Sequence, residues 1–211
     1  MRYDVTMMIT TPNDAEALRT EIAMLAAKMI AEDGTDYGSA KRRAAKQILG
    51  NSKVQGNILP DNAQIEQEVR EYNALFFGDS QPQRLHLLRN IALDTMLDLE
   101  QFNPYLVGAV LNGTAGKHSD IYLHLYADNS KEVAIFLLNK DIQFEVSEHF
   151  NKRNESIETL SFLRRQEGIH LLLHSMDDIR IGARNERANI AALRNLIAES
   201  QSTDTSTSDT L

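Results

Sequence analysis

The chain has 211 residues, no cysteine, six histidines and a net charge of −8, with a pI near 5.3. Without thiols there are no disulfides, thiolate nucleophiles, zinc ribbons or iron–sulfur clusters. The acidic balance argues against a general nucleic-acid or membrane-surface binder. Residues 1–60 carry eight Lys/Arg against seven Asp/Glu, so the acidity lies after residue 60. The N-terminus "MRYDVTMMITTPND" has no apolar leader core, and no run approaches the length of a membrane span. A cysteine-free chain fits a reducing cytoplasm, which is the expected location.

The first half reads as helical. Asn13 and Asp14 open a helix in which Leu18, Ile22, Leu25 and Met29 recur at helical spacing, and Gly34 closes it. "DYGSAKRRAAKQILG" is a second helix ending at Gly50, and residues 51–60 form a loop. Asp61 caps a third helix that runs to Phe77 and stops at Gly78. Pro82 opens a fourth, with Leu85, Leu88, Ala92, Met96 and Leu99 on one face.

After Pro104 the period changes. "YLVGAVL" is a short apolar, strand-prone run. "SDIYLHLYA" alternates, with Ile121, Leu123 and Leu125 on one face and Asp120, Tyr122 and His124 on the other. "NSKEVAIFLLNKD" is a short helix capped by Asn129 or Ser130. "IQFEVSEHF" alternates with Ile142, Phe144 and Val146 inward and Gln143, Glu145 and Ser147 outward. "IETLSFLRR" and "IHLLLHS" form an antiparallel hairpin turning at "QEG". "NERANIAALRNLIAE" is a last helix, and "SQSTDTSTSDTL" has the composition of a disordered tail. The expected fold is α+β: a helical region over 1–80, a small mixed-sheet domain over 81–198 and a tail over 199–211.

The stretch 107–125, "VGAVLNGTAGKHSDIYLHL", carries the chemistry. Gly108 ends the apolar run, Gly113 follows, and Ser119-Asp120-Ile121 opens the next strand 12 positions after Gly108. This order, with helices before and after it, resembles the minimal nucleotidyltransferases of the DNA-polymerase-beta-like superfamily. The resemblance covers residues 83–148, about a third of the chain. It implies a nucleotidyltransferase-like domain that moves a nucleotidyl group from an NTP to a hydroxyl acceptor. By that resemblance Gly108, Ala109, Gly113 and Ser119 belong to the phosphate turn, and Lys117 neutralises phosphate charge. Asp120 is then a metal ligand, and Glu145 a second ligand or base, with Glu148 as the alternative. The implied cofactor is Mg²⁺ or Mn²⁺, with an NTP as ligand.

Two positions depart from the pattern. Ala109 stands where the family has Ser, and Tyr122 where it has the second Asp. Two-metal catalysis needs several carboxylates converging on ions about 3.5–4 Å apart, and a tyrosine hydroxyl is a poor substitute. Asp120 with Glu145 suits at most one ion, so the domain reads as degenerate. The alternative is a non-catalytic scaffold whose N-terminal helices bind a partner protein, a second copy or nucleic acid, and it expects an apolar, acid-free groove on the helical half. A minor branch is a regulatory partner in the manner of antitoxin-like nucleotidyltransferases.

Other patterns carry less. "GTAGKHS" is not a P-loop, because Leu111 and His118 stand where Gly and Ser/Thr are required. Lys41, Arg42, Arg43 and Lys46 read as a solvated helix face in preference to a phosphate contact, for want of an aromatic platform. His124 shares a face with Asp120, and His170 shares one with His174; His118 and His149 complete the set after residue 100. These histidines gather on one metal only if their strands are neighbours, and no H-x-H or H-E-x-x-H spacing is present. No nucleophile elbow is present.

Overall fold

The computed structural model describes residues 12–50, 58–150, 156–181 and 186–205. The chain divides into two compact units. One holds the residues before Gln83 together with Gly116–His118; the other holds Gln83–Ala115 and the residues from Ser119 on.

The first unit is helical: α1 (Pro12–Asp33), α2 (Tyr37–Leu49) and α3 (Asn62–Phe76). The polar residues before the helices act as caps. Asp36 accepts a hydrogen bond from the Ser39 amide, and Asp61 forms a reciprocal capping box with Gln64, which satisfies amides that a helix start leaves without partners. The core is built from small side chains, with Ala23, Ala26, Ala40 and Ala44 packed around Ile22, Ile65 and Val69. The Lys41–Lys46 face lies outside it, with Arg42, Arg43 and Lys46 exposed while Ala44, Ala45 and Leu49 are buried.

The second unit is an α+β layer. Its sheet has five strands in the order β1-β2-β5-β4-β3, made from β1 (Tyr105–Val107), β2 (Ile121–Tyr126), β3 (Glu145–Phe150), β4 (Ser156–Arg164) and β5 (Glu167–His174). The β2–β5 pair is parallel and the others antiparallel, so the sheet is mixed. The helices of this unit are α4 (Gln81–Asp98), α5 (Ala109–Asn112), α6 (Ser130–Asn139), α7 (Asp178–Ile181) and α8 (Ile190–Thr205). Alternation puts Ile121, Leu123, Leu125, Ile169 and Leu171 on one face, buried with Leu88, Ile91 and Met96 of α4 and Leu193 of α8. That face supplies the hydrophobic free energy of the unit.

Five local expectations are revised. The run "YLVGAVL" is a strand only to Val107, because Gly108 (φ 75°, ψ −153°) turns the chain into α5. Gly108 occupies a backbone region reserved for glycine. The hairpin turns on two residues, Arg165 (φ 52°) and Gln166 (φ 70°), so of "QEG" only Gln166 is in the turn and Gly168 lies inside β5. Val146 is 58% exposed, since β3 is an edge strand that runs past the core. The last helix continues to Thr205, beyond the expected start of the tail at 199, and residues 206–211 lie outside the described residues. Arg89, on the face expected to be apolar, is buried; it donates to the carbonyls of Val110 and Leu111 and to Ser200 Oγ. Its cation thereby satisfies the carbonyl end of α5.

Among the described residues no helix is long and apolar enough to cross a membrane.

Candidate functional site

The strand order decides which residues meet. Val107 pairs with Tyr122, Tyr122 with His170, His170 with Ser161, and Ser161 with Glu145. One row therefore crosses all five strands on the face opposite the aliphatic core. Asp120 enters this face just before β2, beside the Gly108 turn at the same end of the antiparallel β1–β2 pair.

The Asp120 carboxylate rests on Gly168. A Cβ placed at Gly168 comes within 2.5 Å of Oδ1 and 2.7 Å of Cγ, so a side chain at position 168 would displace the carboxylate from where it lies. Asp120 Oδ2 lies 3.1 Å from His170 Nε2, and His170 Nδ1 lies 2.9 Å from Ser161 Oγ. In the tautomer whose Nε2–H donates to Asp120, Nδ1 accepts the Ser161 hydroxyl. Tyr122 stacks on the same imidazole with ring centroids 4.7 Å apart. Burial, and then the Asp120 charge, raises the Tyr122 phenol above its ordinary value. Tyr122 is therefore a neutral aromatic wall beside the acid. Arg84 of α4 forms a two-pronged pair with Glu167, one arm at 2.6 Å. That bond raises the Arg84 pKa, with a smaller contribution from the Asp120 charge.

Glu145 is not brought to Asp120. It sits on β3, three strands from β2, a separation of roughly 14 Å at the ordinary interstrand spacing. It is exposed and pairs across the ladder with Ser161. Glu148, the alternative second ligand, lies on the same edge strand with its side chain on the opposite face, where its carboxylate accepts from Ser156 Oγ. Gly108, Ala109, Gly113 and Ser119 stand with Asp120 in the sheet unit, whereas Lys117 groups with the helical unit. The expected third position of the constellation followed chain order, but β5 is inserted beside β2. The residue facing Asp120 is His170. The signal for it was the shared parity of Asp120 with His124 and of His170 with His174, which becomes a contact once the strands are neighbours.

Among the described residues no three His, Asp or Glu side chains converge on a common point. The residues present do not fit a two-metal centre. They fit one ion at most: Asp120 Oδ2 and His170 Nε2, 3.1 Å apart, have the separation of adjacent ligands in an octahedron with bonds of about 2.1 Å. A mixed oxygen–imidazole pair suits Mn²⁺ better than Mg²⁺. The Ser161–His170–Asp120 chain has the residue types of a nucleophilic triad, but Glu145 faces Ser161 from the next strand. A carboxylate there opposes negative charge growing at Ser161.

Farther along the same face lies a second cluster. The rings of His124 and His174 are 4.4 Å apart, and Tyr126 stacks on His174. Arg187 lies 4.5 Å over the Tyr105 ring and donates to Tyr126 Oη at 2.9 Å. Burial first, then the charges of His174 and Arg187, pushes His124 down to about 4; burial lowers His174 as well. His174 Nε2 and Thr159 Oγ1 are buried without a hydrogen-bond partner among the described residues. The side chain of His149 lies outside the described residues.

No protein-family model and no curated protein matches this chain. A solved "structure of GLD-2/RNP-8 complex" is similar at 19% sequence identity and a TM-score of 0.30. The match covers 55% of this chain and 49% of that one, so the chain spans about half the length of its neighbour.

Proposed function

We propose that the sheet unit is a degenerate nucleotidyltransferase-like domain that binds nucleoside triphosphate phosphates at the Gly108 turn, with at most one divalent cation held by Asp120 and His170. The observation that carries this reading is the placement of Asp120. It stands beside the glycine turn on the polar face of the sheet, seated on Gly168 and hydrogen-bonded to His170. A bound cation supplies charge neutralisation for the phosphates. His170 would hold the cation through Nε2 only in its other tautomer, with the proton moved to Nδ1 and donated to Ser161 Oγ. Tyr122 offers a flat neutral surface beside the phosphates. With Glu145 on the far edge, the described residues bring no third ligand to this pair, and two-metal transfer is not part of the proposal.

A second reading is a scaffold without chemistry. It is favoured by the engagement of Asp120 with His170 and by the Tyr122 ring in the position of a second acid.

The two are separated by thermal unfolding of the full chain with ATP and MnCl₂. The first reading expects a rise in melting temperature that requires both components and is lost in Asp120→Asn. No rise, or a rise that survives Asp120→Asn, sinks it. Incorporation of labelled nucleotide into any acceptor contradicts the scaffold reading.

A further inference from the structure

The helical unit carries a feature unrelated to the sheet face and independent of the nucleotide reading. α1, α3 and the end of α2 frame an open groove of about 960 Å³. Its floor is apolar, with Leu25, Ile48 and Tyr72 half-buried. Its walls hold Met24, Leu75 and Phe76, which are 56%, 76% and 59% exposed. Three large side chains of this kind side by side on helices are a patch, not scattered surface residues. The rim is acidic: Glu21, Glu68 and Glu71 line it against a single cation, Lys28. Lys28 is directed to Glu32, at 4.0 Å. None of the three rim glutamates is in a salt bridge with a cation of the described residues. Glu68 is raised above the usual carboxylate range, by burial first and then by the Glu71 charge. Cations set against this rim relieve that repulsion.

We propose that this groove docks an amphipathic helix whose apolar stripe is flanked by Lys and Arg. Shape and charge select that occupant. The groove follows α1 from Leu18 to Lys28, roughly 15 Å or three helical turns. A helix laid between two helices presents apolar residues at i, i+3, i+4 and i+7 to such a floor. The rim then meets the basic flanks, which sets orientation and salt dependence. The acid-free groove expected of a partner-binding helical half is not what the structure shows, since Glu21, Glu68 and Glu71 line it; the occupant proposed here is therefore basic.

The test is fluorescence anisotropy of the full chain with a labelled Leu/Lys amphipathic peptide of about five turns, and with a Leu/Glu peptide of the same pattern. The Leu/Lys probe is expected to bind, weakening as salt rises. Leu75→Asp is expected to reduce its affinity about tenfold or more with an unchanged melting temperature, because position 75 is exposed. Glu68→Lys with Glu71→Lys is expected to reverse the preference toward the Leu/Glu probe. Failure of the Leu/Lys probe to bind, equal binding of the two probes, or indifference to Leu75→Asp overturns the proposal. So does a concentration-dependent dimer in light scattering that Leu75→Asp dissolves, which assigns the groove to a second copy.

Discussion

Two adjacent rows of the same sheet run side by side across all five strands. One reads Leu106, Leu123, Leu171, Leu160, Val146; the other, one residue along each strand, reads Val107, Tyr122, His170, Ser161, Glu145. Four members of the first row are buried completely, and their contribution is area removed from water, which depends little on direction. The second row is held by directed contacts: a stack, two hydrogen bonds to one imidazole, and a carboxylate seated on a glycine. Both rows end at an exposed residue on β3. The lesson is that the first row keeps the sheet folded, and the second, which lies outside the aliphatic core, is free to carry chemistry.

Truncating the first row separates these roles most strongly. Leu171→Ala, on a central strand, is expected to destabilise by about 3–4 kcal/mol, measured by urea unfolding at constant slope. Equal sensitivity at His170 breaks the distinction.

Acid comes next. His124 has a folded pKa of about 4 against 6.5 for the free side chain, so between those values the unfolded chain binds the extra proton. Stability is therefore full above about pH 6.5, falls as pH drops through the window, and is lost by about 3 kcal/mol near pH 4. His174, shifted the same way, adds to the fall. His124→Gln is expected to flatten the profile over pH 4–6.5 in thermal scans.

Gly168→Ala is smaller. The new Cβ meets the Asp120 carboxylate, and displacing it is expected to cost roughly 1–2 kcal/mol. The same change in an Asp120→Ala background is expected to cost almost nothing. A double-mutant cycle with zero coupling refutes the seating of Asp120 on Gly168.

Ser161→Ala is the smallest, about 1 kcal/mol or less. Its sharper readout is nitrogen NMR of His170, where loss of the hydroxyl is expected to change the Nδ1 shift and leave the Nε2–H bond to Asp120 in place.

Local features were legible in the sequence wherever a residue acts on its near neighbours. Asp61 announces the start of a helix by its place ahead of an apolar period, and the alternation 120–126 announces which side chains share a face. Three things were not legible, each for a long-range reason. Gly168 reads as a turn residue; its role in β5 exists only because Asp120, 48 positions earlier, lies over it. Glu145 reads as the partner of Asp120 because β3 is the next strand in the chain, but neighbours in a sheet are set by packing and not by order. Arg89 interrupts an apolar face, and its reason lies in the carbonyls of Val110 and Leu111, which no helical period reveals. The His170 contact was half legible: parity placed each residue on a face, and only the β2–β5 pairing joined them.

The most direct measurement is isothermal titration of ATP into the full chain with MnCl₂, repeated for Asp120→Asn and His170→Ala. Saturable binding by the unaltered chain, lost in both variants while their melting temperatures stay within a few degrees, is the expected result. Absence of binding, or binding unchanged by both substitutions, contradicts the assignment of the Asp120–His170 face as a phosphate and cation site.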